Sequence, residues 1–247
     1  MPVGALAGAR GGMLVAACAL IAATPAHAGP GPAPPETAIE SMRGPGSISR
    51  WAFVERRTPV RAAPDHRARQ VATLGTRTED RTDELVPILS RARARNGGEW
   101  LFVRLPVRPN GTTGWVPRAA LGTVRRVSTH LYVDTRRLTA RLYRNGKLVF
   151  RARVGVGQRR WPTPRGEFYI RNRLTGWGGI YGPLAFGTSA RSDVLTDWPG
   201  GGVIGIHGTN RPELLPGRVS HGCIRMRNAD ILRLGRLLLV GTPLTIR

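Results

Sequence analysis

The sequence predicts a mainly β protein in two parts, with a single helix close to the C-terminus. Three observations lead there. Short apolar runs recur along most of the chain, separated by turn signals. Two Asn-Gly pairs, Asn110-Gly111 and Asn145-Gly146, fall between such runs, where that dipeptide makes tight hairpins. Only one stretch, Ala229 to Leu239, has clear helical spacing, with Ile231, Leu234, Leu237 and Leu238 on one face and Asn228 available to cap its start.

Taken in order, residues 1–28 read as an export signal. Arg10 is the positive n-region, Met13 to Ala23 the apolar h-region, and Ala26-His27-Ala28 a small-residue cleavage site. The apolar run is too short to span a bilayer. A second processing route stays open, because Val15-Ala16-Ala17-Cys18 resembles a lipoprotein box; cleavage after Ala28 is the reading adopted. Residues 29–48, beginning Gly29-Pro30-Gly31-Pro32, read as a semi-extended tether. Residues 49–122 form a first unit, a small barrel. Its expected strands are Trp51–Val54, Gln70–Leu74, Glu84–Leu89 and Trp100–Leu105, with Gly114-Trp115-Val116-Pro117 at its close.

Residues 125–247 form the second unit. His130–Asp134, Leu138–Tyr143, Lys147–Val154 and Glu167–Ile170 read as strands, as do Val203–Ile206 and Leu244–Ile246. Residues 171–202 read as a long irregular loop rich in glycine, and loops of that length inside a compact domain are usually functional.

The chain of 247 residues carries a net charge of +23, falling to +22 once a leader containing only Arg10 is removed. Lys147 is the only lysine, so the excess is arginine. Such a field attracts anionic polymers. For an exported protein in the wall, the periplasm or the medium, these are wall polymers and lipid head groups, with nucleic acid not expected. A solvated basic surface of no special role is the plainer alternative.

Beyond the leader, Cys223 is the only cysteine, so no internal disulfide is possible. It lies in Ser220-His221-Gly222-Cys223-Ile224-Arg225, sixteen positions after His207-Gly208. Three readings fit these residue types. Cys223 can be packing, although a polar turn-forming tetrapeptide is a poor core. His207, His221 and Cys223 can bind zinc, although no nearby carboxylate offers itself as a base. Or Cys223 is a nucleophile, one histidine its base, and backbone N–H groups beside Gly222 its oxyanion donors. His221 lies on the cysteine's own turn and should point away from the sulfur, whereas His207 comes from a separate strand and can approach it. An imidazole so paired is expected to hold the thiol well below the free value of about 8.5.

At these residues the chain resembles the L,D-transpeptidase (YkuD-like) catalytic domain. The likeness runs over about residues 127–247 and includes Gly155-Val156-Gly157, Pro162 to Phe168 and the helix after the cysteine. The close of the first unit resembles a bacterial SH3-like domain. The resemblance implies a β-rich peptidoglycan-remodelling enzyme, monomeric and without a cofactor or metal. It places the nucleophile at Cys223, the general base at His207, and the carbonyl orienting that base at Gly208. It gives His221 and Gly222 to the oxyanion pocket and positioning. Some members have Asn two residues after the cysteine; here it is Arg225, a cation for a substrate carboxylate or a surface residue. Trp177 and Tyr181 are candidate walls of the donor site or simple core aromatics. Stem peptides are the implied substrates and carbapenem-type β-lactams the implied inhibitors. The acceptor (a stem amine, water or a lipoprotein) stays open. A non-catalytic wall-binding protein is the alternative class, for which an intact Cys–His pair has no use.

Overall fold

The structure, a computed structural model, describes residues 39–41, 48–94, 97–176, 178–197 and 201–247. The expected leader, Cys18 and most of the Pro/Gly-rich tether lie outside the described residues.

Two sheets build the described chain. The first is antiparallel and comprises β1 (Ile39–Ser41), β2 (Ser49–Phe53), β3 (Thr58–Arg61), β4 (Gln70–Leu74), β5 (Leu85–Arg93), β6 (Glu99–Arg104), β7 (Thr113–Pro117) and β8 (Arg125–Val127). Its order is β4-β3-β7-β6-β5-β2-β8, with β1 also paired to β5. Two expected boundaries move. Ile39–Ser41, read as tether, pairs with Ser90–Ala92, and Arg125–Val127, read as the start of the second unit, pairs with β2. Alternating inward residues from β2, β5, β6 and β7 make the core, including Ala52, Val86, Ile88, Leu101, Val103 and Val116.

The second sheet contains β9 (Thr129–Asp134), β10 (Thr139–Arg144), β11 (Lys147–Arg153), β12 (Gly155–Gly157), β13 (Gly166–Thr175), β14 (Leu184–Arg191), β15 (Val203–His207), β16 (Gly217–Ser220), β17 (Ile224–Arg225) and β18 (Pro243–Ile246). Its order is β11-β10-β9-β18-β13-β14-β15-β17-β12-β16. Asn145 and Gly146 both take positive φ, as a tight turn between β10 and β11 requires. The first half of β13 pairs with β18 and the second half with β14, the latter with a register shift between Ile170 and Asn172, so this strand joins the two halves of the sheet.

The one α-helix among the described residues, α1 (Asn228–Gly235), packs Ile231 and Leu234 into the core over β14. It is shorter than the expected Ala229–Leu239, and Asn228 does not cap it: Arg227 holds the cap position and the Asn228 amide is used elsewhere.

The region read as one long loop, 171–202, contains the end of one strand and the whole of another. All eight residues of β14 (Leu184–Arg191) are buried, and β13 continues to Thr175. The polar residues Arg171, Asn172 and Arg191 suggest loop locally, yet each is paired with the first sheet. Arg171 donates from Nε to Glu84 Oε1 at 3.1 Å, from Nη2 to Glu84 Oε2, and from Nη1 to Glu79 Oε2 at 2.8 Å. Arg191 pairs with Glu79 and donates through Nε to the Pro106 carbonyl at 3.0 Å. Asn172 reaches Asp80 and Thr82. Burial pushes the Glu79 carboxyl up, but Arg171 and Arg191 outweigh it and hold it below the ordinary range.

Around this polar set, Trp51 and Leu85 pack with Val127 and Tyr169. The Trp51 indole fills the space where a side chain at Gly241 would stand. The two sheets are therefore joined by a desolvated interface rather than by a tether.

Candidate active site

The site forms where β15 and β17 run parallel, with Ile206 opposite Ile224 and His207 opposite Arg225. This pairing places Gly205 beside Cys223, whose sulfur accepts the Gly205 N–H at 3.4 Å. A Cβ on Gly205 would stand 3.9 Å from both Cys223 Sγ and His207 Cδ2. Cδ2 is bonded to Nε2, so this edge of the ring and the sulfur flank one glycine.

His207 is 3% exposed, and its Nδ1 lies 2.6 Å from the Gly208 carbonyl. A carbonyl only accepts, so Nδ1 carries the proton and Nε2 is left as the bare, basic nitrogen. Gly208 is itself held. Its N–H donates to the Leu184 carbonyl at 3.2 Å, and the Asn228 side chain lies against it while accepting the Thr209 N–H at 2.9 Å. Any Cβ at Gly208 would strike that amide and would stand 3.1 Å from Gly182 Cα.

The turn that carries Cys223 is also tied down. Gly222, at φ +122, has no room for a Cβ, which would meet Ile204 at 2.8 Å. Its N–H donates to Ser220 Oγ at 3.1 Å, and Ser220 Oγ donates to the Cys223 carbonyl at 2.6 Å. Thr163 closes the other side: its hydroxyl donates to the Gly222 carbonyl at 2.7 Å and accepts the Gly157 N–H at 2.9 Å. The exposed His221 ring packs on Trp161 with centroids 3.9 Å apart, and the Arg160 guanidinium lies 3.6 Å from the Trp161 ring.

Electrostatics correct one expectation. Burial pushes the Cys223 thiol above its ordinary value; the Gly205 N–H and the Arg225 cation act the other way without cancelling it. Burial also pushes His207 down to about 4, with Arg225 adding to the fall and the Gly208 bond opposing it. The resting pair is a neutral thiol and a neutral imidazole, not the low-pKa ion pair expected from the sequence. Desolvation, invisible in the motif, decides the sign.

A cleft of about 190 Å³ opens over the pair, lined among others by Tyr181, Leu195, His221, Cys223 and Arg225. Tyr181 packs edge-on against His207 at 5.0 Å, and burial with the neighbouring Cys223 pushes its phenol up. Arg225 has its Nε buried with no hydrogen-bond partner among the described residues. Trp177 lies outside the described residues. Among those described, no group of three or more His, Cys, Asp or Glu side chains is placed to hold a metal. Thr163, Trp161, Ser220 and Asn228 were not singled out as site residues from the sequence. Only their proximity to the Pro162 and Ser-His-Gly-Cys segments hinted at them.

A mainly β scaffold carrying a thiol beside a buried, tautomerically fixed imidazole belongs to the class of sites able to carry acyl transfer. Residues 128–246 match the family model of the L,D-transpeptidase catalytic domain (YkuD). The YkuD protein of Bacillus licheniformis, a candidate L,D-transpeptidase, is 39% identical over 108 residues, covering 44% of this chain and 59% of that protein. Its Bacillus subtilis namesake is 35% identical over 117 residues, covering 47% and 65%. The chain thus spans about three-fifths of these relatives. Among solved structures, the ertapenem-acylated catalytic domain of the E. faecium L,D-transpeptidase is 26% identical, covering 49% of this chain and 98% of that one, at a TM-score of 0.35.

Proposed function

We propose that the protein is a peptidoglycan L,D-transpeptidase working through Cys223. The observation carrying this reading is the fixed tautomer of His207, whose bare-nitrogen edge and the Cys223 sulfur flank Gly205. In the first half-reaction His207 takes the thiol proton as the sulfur attacks the carbonyl of the third residue in a tetrapeptide stem. Because the resting pair is neutral, deprotonation accompanies attack. The tetrahedral intermediate collapses, the C–N bond breaks, and the departing D-Ala amine takes the proton from the His207 imidazolium. In the second half-reaction an acceptor amine attacks the thioester, loses its proton to His207 and releases the thiol, leaving a 3→3 cross-link.

The Gly208 carbonyl orients the base. His221 and Gly222 are assigned to positioning and to the oxyanion pocket, with Thr163 and Ser220 holding the turn. Tyr181 supports His207, and Arg225, which lines the cleft, is assigned to a substrate carboxylate. The first sheet is assigned to an SH3-like unit that presents the enzyme to the wall, helped by the excess of arginine. Export with cleavage after Ala28, and acylation of Cys223 by carbapenems, complete the reading.

Purified tetrapeptide stems test it. The expected products are free D-Ala and 3→3-linked dimers, unaffected by EDTA and absent in Cys223→Ser. Tripeptide alone would make the enzyme a carboxypeptidase, and zinc-dependent activity would overturn the thiol mechanism.

A further inference from the structure

One wall of the cleft is held from outside the catalytic domain. Ser192, Leu195 and Gly202, from the segment that joins β14 to β15, line the cleft together with Val203, the first residue of β15. Within it, the Ser192 N–H donates to the Gly202 carbonyl at 2.8 Å, and Ser192 Oγ accepts the N–H groups of Val194 and Leu195. These local bonds shape the wall but do not fix it against the rest of the molecule.

That task falls to the turn between β6 and β7 of the first sheet. Arg108 donates from Nε to the Ser192 carbonyl at 2.9 Å and from Nη2 to the Gly201 carbonyl at 3.0 Å, so one guanidinium spans both ends of the segment. Asn110 pairs with the Arg191 backbone in both directions: its Nδ2 donates to the carbonyl at 2.8 Å and its Oδ1 accepts the N–H at 2.9 Å. The same Nδ2 reaches Asp193 at 3.2 Å. The fit is close, since a Cβ on Gly202 would meet Arg108 Nη2 at 2.6 Å and the Leu195 carbonyl. A planar five-donor group bridging two carbonyls fixes both distance and angle, which a point charge would not.

We infer that Arg108 and Asn110 are positioning residues for the transpeptidation site: the first sheet sets the cleft wall against which the donor stem lies. This rests on the functional reading above. It gives the first sheet a part in the site beside that of presenting the enzyme to the wall, and it predicts that loosening this turn damages use of a peptide more than access to the thiol.

Two measurements on the full chain decide it. Hydrogen exchange needs no substrate: in Arg108→Ala the amides of Ser192, Val194 and Leu195 should exchange roughly tenfold faster, while α1 stays protected. Unchanged protection would overturn the clamp. Kinetics with a tetrapeptide donor should show KM raised roughly tenfold, and kcat/KM lowered by up to about 10²-fold. Alkylation of Cys223 by iodoacetamide should stay within about twofold of wild type. Arg108→Lys should recover part of the loss, and Asn110→Asp, which keeps only the acceptor, should reproduce it should Arg108→Ala fail to fold. Parallel losses in turnover and alkylation would mean general loosening and would overturn the inference. A wild type that never turns over the donor would sink the functional reading, and the exchange measurement would still decide the clamp.

Discussion

Glu84→Ala should be among the most damaging substitutions far from Cys223. Glu84 is 3% exposed and Arg171 4%, and the carboxylate takes two of the guanidinium's donors. It also accepts the Leu85 N–H at 3.1 Å. Truncation leaves a buried cation whose remaining ion-pair partner is Glu79, which is one-third exposed at the side chain. Breaking a buried pair from one side costs about 3–5 kcal/mol, mostly from the stranded charge. At about 2–4 °C per kcal/mol for a chain of this size, Tm should fall by roughly 6–20 °C. Chemical denaturation followed by circular dichroism supplies the free energy. Glu84→Leu combined with Arg171→Met should cost less than Glu84→Ala, because no bare charge remains. A loss below about 1 kcal/mol, or a change confined to a separate melting step of the first sheet, would refute the reasoning.

Three further outcomes follow from the same structure. His207 is held at about 4, below its unfolded value of 6.5, so between these the unfolded chain binds more protons. Its contribution is therefore present above pH 6.5 and lost as pH falls towards 4, about 3 kcal/mol in all; urea titrations at a series of pH values should show wild type losing about that much more stability than His207→Gln between pH 7 and pH 4, and equal losses would contradict it. Tyr169 buries a hydroxyl that has no hydrogen-bond partner among the described residues, so Tyr169→Phe should leave stability unchanged or raise it by about 1 kcal/mol in the same titration. Thr163→Val keeps the shape but strands the Gly157 N–H and the Gly222 carbonyl. It should cost about 1–3 kcal/mol of stability and slow Cys223 acylation, and wild-type acylation kinetics would remove Thr163 from the nucleophile turn.

The readable parts of this chain were the local ones. Hairpin chemistry at Asn145-Gly146, alternation in β2 and β6, and the apolar face of α1 each depend on neighbours a few residues away. The Ser-His-Gly-Cys motif, with His-Gly upstream, likewise pointed to the segments that line the candidate site. What escaped depends on distant partners. β14 reads as loop because Gly187, Thr188, Ser189 and Arg191 show no alternation, and its burial on all sides is completed by chain more than 80 residues away. Arg171 looks like a surface residue until Glu79 and Glu84 are brought to it. The direction of the thiol shift escaped too: the motif supplies an imidazole partner, but burial of the site sets the charge of both groups.

The central claim, that Cys223 forms a thioester with a stem peptide, is tested most directly by intact-protein mass spectrometry after brief exposure to a tetrapeptide donor without acceptor. The account predicts one adduct of the stem less its terminal D-Ala. The adduct should localise to Cys223 by peptide mapping, be released by hydroxylamine and be missing in Cys223→Ala. An unmodified mass while D-Ala is released, or an adduct that persists in Cys223→Ala, would contradict it.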